Sequence, residues 1–290
     1  KLSELCRLLP DNSEIHITLD GDKLVIESGT GKYNLKTLPS DGFPIFEEGG
    51  EGEAIQIDAN KLKNIITKTS FAMGKQDWRH FLNGLYTVIE DSKIIAVALD
   101  GSQLATISTD LSKAPANEIN GIIPRKAVNE IAKLVSDLDG PIDFNLGNSS
   151  IKIGTPSAAF ISKLVEGSYP EYLRFIPSGS STTLKISSKK LTEALSRVSV
   201  LTSDKSRGVR MVISTEGVMV SANNPQQEEG EELIKTDYAG DKIDIAFNVN
   251  LLQEILSTLD DDECEIHIFG TDKGCLITTP NNQYLKYVLM

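Results

Sequence analysis

The tetrapeptide Glu14-Ile15-His16-Ile17 returns as Glu265-Ile266-His267-Ile268, and each copy is followed by a turn and another apolar run. Outward from the first copy, LSELCRLL carries its apolar residues at helical spacing, whereas EIHITL, KLVIES and YNLKTL alternate apolar and polar residues. Asp20-Gly21 and Gly29-Thr30-Gly31 supply turn chemistry between them, which predicts one helix and three antiparallel strands closing at Asp41 to Pro44. The same order surrounds the second copy as NLLQEILSTL, EIHIF, TDKG, CLITT and QYLKYVLM. It occurs again midway as AVNEIAKLV, PIDFNL, GNSS, IKIGT and AFISKLV, closing at Glu166 to Pro170. Glu14 and Pro141 are 127 positions apart and Pro141 and Glu265 are 124 apart, so the period is nearly constant.

A different half-unit lies between these. Asp58 to Ile89 and Ser187 to Ile213 both read as a helix, a polar loop containing an arginine, and a strand, with Arg79 and Arg207 separated by 128. Each helix opens on a capping-type residue, Asp58 or Ser187/Ser188, ahead of Lys-Leu. The expected fold class is therefore α+β, a tandem of three similar domains at 1–50, 51–178 and 179–290. The Gly/Glu-rich run Glu47 to Glu53 and the Ser/Gly-rich stretch 178–182 mark the boundaries. Each repeat, at about 125 residues, is large enough to bury a core of its own. The uneven count of halves predicts an incomplete first domain.

The 290 residues carry a formal net charge of −12 and 40% hydrophobic residues. No stretch approaches the roughly 18 to 20 apolar residues of a membrane helix, and the N-terminus has no signal-peptide layout, so a soluble, cytoplasmic protein without membrane partners is expected. The acidic residues cluster at Glu47 to Glu53, Gln226 to Glu232 and Asp260 to Glu263. Lysine and arginine recur at helix starts, as Lys61/Lys63, Arg125/Lys126 and Lys189/Lys190. An acidic average thus conceals a basic face.

Catalytic motifs fail on inspection. SGTGKYN (Ser28 to Asn34) lacks the first glycine, the Ser/Thr after lysine and the following helix of a phosphate loop, and reads as a hairpin turn. Cys6, Cys264 and Cys275 match no zinc or disulfide spacing and read as buried reduced thiols. His16, His80 and His267 are scattered, so no metal, cofactor or catalytic residue is expected. Asp260 to Asp262 read as a solvated turn, and Ala98 to Ala105 lacks the alternating oxygen ligands of a calcium loop.

At QDWRHFLNG (from Gln76), DGSQLA (from Asp100), PRKAV (from Pro124), EGSYPEYLRFIP (from Glu166), RGVR (from Arg207), ANNPQQEE (from Ala222), FNVN (from Phe247) and YVLM (from Tyr287) the sequence resembles the bacterial DNA polymerase III β subunits, the sliding clamps. The resemblance runs in order through nearly the whole chain. It implies a non-enzymatic processivity factor: a head-to-tail homodimer whose six domains enclose duplex DNA, with helices lining the hole and sheets outside. It also implies that part of the first domain and a few residues after Met290 are missing. The implied partners are double-stranded DNA, bound topologically and without sequence preference, DNA polymerase III, its clamp loader, and other proteins carrying a clamp-binding peptide. An enzyme on duplicated domains and a scaffold or hub that never encloses DNA are the rival readings.

For this chain the resemblance implies DNA contacts at Gln76, Arg79, Lys126, Lys205 and Arg207, where lysines and arginines would attract phosphate without reading bases. It places a partner-peptide pocket at Leu82, Leu99, Gly101, Leu104, Pro170, Arg174, Phe175, Asn248, Val288 and Met290. It places a dimer interface at Lys32, Val200, Leu201, Glu228, Glu229 and Glu232. Ser102 and Gln103 stand where the family more commonly has a His-Arg pair, which removes a cation from the pocket rim and predicts an altered partner preference.

Overall fold

The structure, a computed structural model, describes residues 1–43, 54–113, 115–203, 207–270 and 273–290. The chain divides into two compact units, Lys1–Glu48 and Gly49–Met290.

In the first unit, helix α1 (Leu2–Leu8) precedes strands β1 (His16–Asp20), β2 (Lys23–Ser28) and β3 (Gly31–Lys36) in a meander of order β1-β2-β3. Both hairpins fall at the turns read from sequence: Asp20 pairs with Lys23 around Gly21 (φ +60°), and Ser28 pairs with Gly31 around Gly29 (φ +56°). These left-handed positions are open to glycine at no steric cost. Val25 and Ile26 of β2 are buried, while every residue of β1 is exposed. No residue of α1 is buried, so Cys6 is exposed, which corrects the expectation that all three thiols are buried; Cys264 and Cys275 are.

The second unit begins with β4 (Ile55–Asp58), α2 (Ala59–Thr69), β5 (Gly84–Glu90), β6 (Lys93–Leu99), β7 (Gln103–Asp110), β8 (Ile119–Pro124), α3 (Arg125–Leu134), β9 (Pro141–Leu146), β10 (Ser150–Gly154) and β11 (Ala159–Lys163). The succession then repeats as β12 (Thr182–Ser187), α4 (Ser188–Ser199), β13 (Gly208–Ser214), β14 (Gly217–Asn223), β15 (Glu229–Ile234), β16 (Ile243–Asn248), α5 (Val249–Ser257), β17 (Glu263–Ile268), β18 (Cys275–Thr279) and β19 (Asn282–Leu289). Strand orders repeat too. The sheet β11-β10-β9-β4 matches β19-β18-β17-β12, and β7-β6-β5-β8 matches β15-β14-β13-β16.

Helices α2 and α4 start where capping chemistry starts them. Asp58 accepts from the Asn60 amide at 2.9 Å and Ser187 from the Lys190 amide at 3.4 Å, each satisfying a donor that the first helical turn leaves open. On α2, Ala59, Leu62, Ile65, Ile66 and Thr69 form the buried face, and Leu191, Ala194, Leu195 and Val198 do so on α4.

One seam joins the two halves of this unit. Strand β19 pairs antiparallel with β7, Val288 opposite Leu104 and Tyr287 opposite Ala105, so β12-β17-β18-β19-β7-β6-β5-β8 run as one sheet. The main core is correspondingly continuous from Ile55 to Leu289, where the sequence predicts separate cores. Lys68 of α2 reinforces the junction. It is 4% exposed, donates to the Thr258 carbonyl and lies 2.6 Å from Asp260. Thr258 shares a hydrogen bond with the Tyr287 hydroxyl at 2.7 Å, and Tyr287 packs on Phe71.

Candidate partner-binding groove

The polar loop after α2 is closed by its own side chains. The Gly74 amide donates to the Leu82 carbonyl at 2.8 Å, and the Asn83 side chain bonds both the amide (2.9 Å) and the carbonyl (2.8 Å) of Asp77. Arg79 grips Asp77 through two side-chain donors, Nε at 3.0 Å and Nη2 at 2.8 Å. These hydrogen bonds hold the Asp77 carboxyl down at about 2. Arg125, at the start of α3, donates to the Met73 carbonyl at 2.8 Å and so fixes the other side of the loop. The result turns Leu82 inward, 1% exposed, and leaves Trp78 outward, 83% exposed.

Leu82 enters an apolar cluster distinct from the main core, with Val97 and Leu99 of β6, Leu104 of β7 and Val288 of β19. Phe81, Tyr86, Tyr169, Tyr172, Ile176 and Leu276 cover it and are only partly buried. Tyr86 and Tyr169 stack at 4.6 Å with 5° between their planes, and burial pushes the pKa values of Tyr86, Tyr169 and Tyr172 up from the ordinary phenol value, keeping the phenols neutral. Four of the sequence-derived pocket residues, Leu82, Leu99, Leu104 and Val288, therefore share one cluster as its floor.

The others lie around it. Pro170 is half-buried in the segment that carries Tyr169, and Arg174 and Phe175 follow on a 3-10 turn (Tyr172–Phe175). Arg174 is exposed and paired with Glu171, Phe175 is 40% exposed, and neighbouring Leu173 is more exposed still. Gly101 has φ +92°, a backbone conformation that calls for glycine, and Arg79 Nη2 lies 3.1 Å from where a Cβ would sit. The Met290 amide donates to the Ser102 carbonyl at 2.9 Å, leaving the Met290 side chain at the surface. Met290 and Asn248 line a cavity of about 250 Å³ with Phe247, Leu251, Cys275 and Leu289. Asn248 also caps α5, accepting from the Asn250 amide at 3.0 Å.

Leu251, Leu276, Tyr169, Tyr172 and Ile176 join this region without having been singled out from sequence. The aromatics of EGSYPEYLRFIP, three residues apart, carried a signal for two of them, Tyr169 and Tyr172. Leu251 and Leu276 look like ordinary core positions of a helix and a strand.

The residues assigned to DNA are placed unequally. Gln76 is exposed with φ +59°, and Lys126 is exposed on the first turn of α3, with no ion-pair partner among the described residues. Arg207 is half-buried with φ +45°, its carbonyl accepting from the Val249 amide at 2.9 Å. Lys205 lies outside the described residues. Arg79 is only 35% exposed at its side chain and engaged by Asp77, so its charge is largely neutralised within the loop. Of the helix-start lysines, Lys61 and Lys63 reach the carbonyls of Asp110 (2.7 Å) and Ser136 (2.9 Å), while Lys189 and Lys190 are exposed.

Of the residues assigned to a dimer interface, Val200 is 78% exposed just past α4 and Leu201 is half-buried beneath Gly230. Glu229 and Glu232 lie on β15, the edge of its sheet, where Glu232 makes a bidentate pair with Arg197 at 2.6 and 2.9 Å. Glu228 precedes that strand and accepts from Asn224 at 2.6 Å. Lys32 lies on β3, the edge of the first unit's sheet, 2.7 Å from Glu27. Among the described residues no group of His, Cys, Asp or Glu is arranged to hold a metal ion, and no helix is long and apolar enough to cross a membrane.

Comparison with known proteins assigns each part. Residues 1–47 match the N-terminal, 56–171 the central and 173–290 the C-terminal domain model of the DNA polymerase III beta subunit. The chain is 34% identical over 290 residues to the beta sliding clamp of Pseudomonas putida and 31% identical over 291 residues to that of Escherichia coli K12, covering all of this chain and 79% of each relative. Among solved structures it is similar to the Pseudomonas aeruginosa DNA polymerase III subunit beta, with TM-score 0.93 and 34% identity across all of this chain and 80% of that one. A P. aeruginosa sliding clamp bound to griselimycin matches with TM-score 0.90 and 34% identity, over all of this chain and 78% of that one. With three domain models matched in order and the fold shared throughout, this chain belongs to the DNA polymerase III beta subunit family, the beta sliding clamps, and its function is that of a polymerase processivity factor.

Proposed function

We propose that the chain performs this function as a head-to-tail homodimeric ring of three-domain protomers, with domains at 1–50, 51–178 and 179–290, closed around duplex DNA. The observation that carries the reading is the β7–β19 seam. By the order of elements, the counterpart of β7 in the last domain is β15, and the counterpart of β19 in the first domain is β3. Both are sheet edges among the described strands, and their charges complement each other: β15 reads EGEELI and β3 reads GKYNLK. A second copy's β3 laid along β15 would repeat the seam already formed inside the chain, and copies joined in this head-to-tail sense close into a ring.

The work of such a ring is tethering, with no bond made or broken. Lys126, Lys189, Lys190 and Arg207 offer long-range attraction to phosphate, and Gln76 a short-range amide hydrogen bond, while bases are left unread, which permits sliding. The partly exposed apolar residues that cover the Leu82 and Val288 cluster, with the cavity at Met290, offer an apolar surface for the anchors of a polymerase or loader peptide. The test is retention on nicked circular DNA. The full-length protein is expected to stay on the circle and to leave after linearisation, whereas equal retention on both forms would indicate ordinary surface binding.

A further inference from the structure

Beside the apolar cluster lies a second recess of different chemistry. This cavity of about 430 Å³ is lined by Gly74, Lys75 and Asp77 of the loop, Asp100, Ser102 and Gln103 of the β6–β7 turn, and Asn248, Asn250, Leu251 and Glu254 at the start of α5. It shares Asn248 and Leu251 with the cavity at Met290, so the two adjoin.

The charges around it do not balance. Of its three carboxylates, Asp77 is matched by Arg79. Asp100 and Glu254 both come against one neutral group, the Gln103 amide nitrogen, at 3.4 and 3.5 Å, the outer limit of a hydrogen bond. Lys75, 66% exposed at its side chain, approaches Glu254 only to 4.0 Å. One Asp100 oxygen is already occupied by the Ser102 and Gln103 amides at 2.8 and 3.0 Å, and the other faces Gln103. Gln103 itself is 2% exposed, and its Oε1 has no hydrogen-bond partner among the described residues. A buried amide oxygen without a donor is costly, and so are two carboxylates converging on a single neutral amide. Both conditions call for a cation with several donors.

We infer that this cavity is a subsite for the guanidinium of an arginine in a partner peptide whose apolar anchors occupy the adjoining groove. The planar fork supplies enough N–H donors to meet both Asp100 and Glu254, relieving the Gln103 amide nitrogen that the two carboxylates share, which a lysine ammonium on its flexible stem does less well. The inference rests on the proposed peptide groove, and it adds a preference for cationic peptides that the apolar recess alone would not create.

The probes are short peptides with leucine and phenylalanine as apolar anchors, extended at the N-terminus by two to four residues, with arginine placed at each added position in turn. Matched peptides carry citrulline, the neutral isostere, or lysine at the same place. Affinities are read by fluorescence polarisation at low and moderate salt. One arginine peptide is expected to bind about tenfold tighter than its citrulline twin and tighter than the lysine form, with an advantage that shrinks as salt rises. In Glu254→Gln the arginine-to-citrulline ratio is expected to fall towards one. Equal binding of arginine and citrulline peptides at every position overturns the subsite and leaves the groove standing. A ratio that survives Glu254→Gln overturns the assignment to this cavity. Failure of every peptide to bind overturns the groove and the subsite with it.

Discussion

Val288 of β19 lies opposite Leu104 of β7, and both are fully buried in the cluster that also receives Leu82. Backbone pairing and apolar packing therefore coincide at one point, where the last strand of the chain is sewn to the central domain. Truncating Leu104 to alanine is expected to cost about 2–5 kcal/mol in urea denaturation, the range for an aliphatic side chain removed from a packed site. A loss below about 1 kcal/mol would mean that the cluster collapses around the gap.

Met290 tests the groove without disturbing that floor. Its side chain is 47% exposed while its amide is fixed to Ser102. Met290→Glu is expected to weaken binding of an apolar-anchored clamp peptide at least tenfold while moving the melting temperature little, because the change is at the surface. Unchanged affinity in fluorescence polarisation would remove Met290 from the groove.

The Asp77 carboxyl is held at about 2 by Arg79, below its ordinary value of 3.8. A carboxyl whose folded value is depressed contributes stability that is fully present above its unfolded value and is lost as pH falls through the folded one. The melting-temperature gap between the wild type and Asp77→Asn is expected to hold steady above about pH 5 and to shrink between about pH 4 and 2. A gap that persists to pH 2 would show that the side chains contribute through packing alone.

Lys68 is expected to matter more than its exposed partner. Lys68→Met keeps the stem but leaves the Thr258 carbonyl without its donor, and is expected to cost about 1–3 kcal/mol. Asp260, 85% exposed, can be solvated when unpaired, so Asp260→Asn is expected to cost less than about 1 kcal/mol. Equal losses in urea denaturation would contradict this ordering.

Self-association is the measurement for the β15 and β3 edges. Lys32→Glu and Glu232→Lys are each expected to weaken it severalfold in sedimentation velocity at low salt, and the double reversal to recover part of the loss. Additive losses in the double variant would show that these residues do not meet across the seam.

Much of this was legible in one dimension. Capping residues Asp58 and Ser187, the turns at Gly21 and Gly29, and the near-constant spacing of helix and hairpin are local signals, so they survive without the fold. The groove was legible only through resemblance, because Leu82, Leu99, Leu104 and Val288 are indistinguishable from core positions along the chain. Arg79 was half legible for a related reason: the sequence placed it in a polar loop but did not show that Asp77, two residues earlier, folds back onto it. The imbalance around Gln103 was only half visible in sequence: the lost cation was legible, but Glu254 lies 151 positions away.

The twin tetrapeptides divide the two kinds of knowledge. Their alternation and flanking turns determined that each contributes to a strand after a helix, since the backbone preference of such a run is local. Their burial was decided elsewhere. In β17, Ile266 and Ile268 are covered because β12 and β18 flank the strand and α4 packs against it, whereas in β1, which among the described strands has only β2 beside it, Ile17 is half exposed. Local sequence sets which face a side chain takes, and only tertiary neighbours determine whether that face meets a core or water.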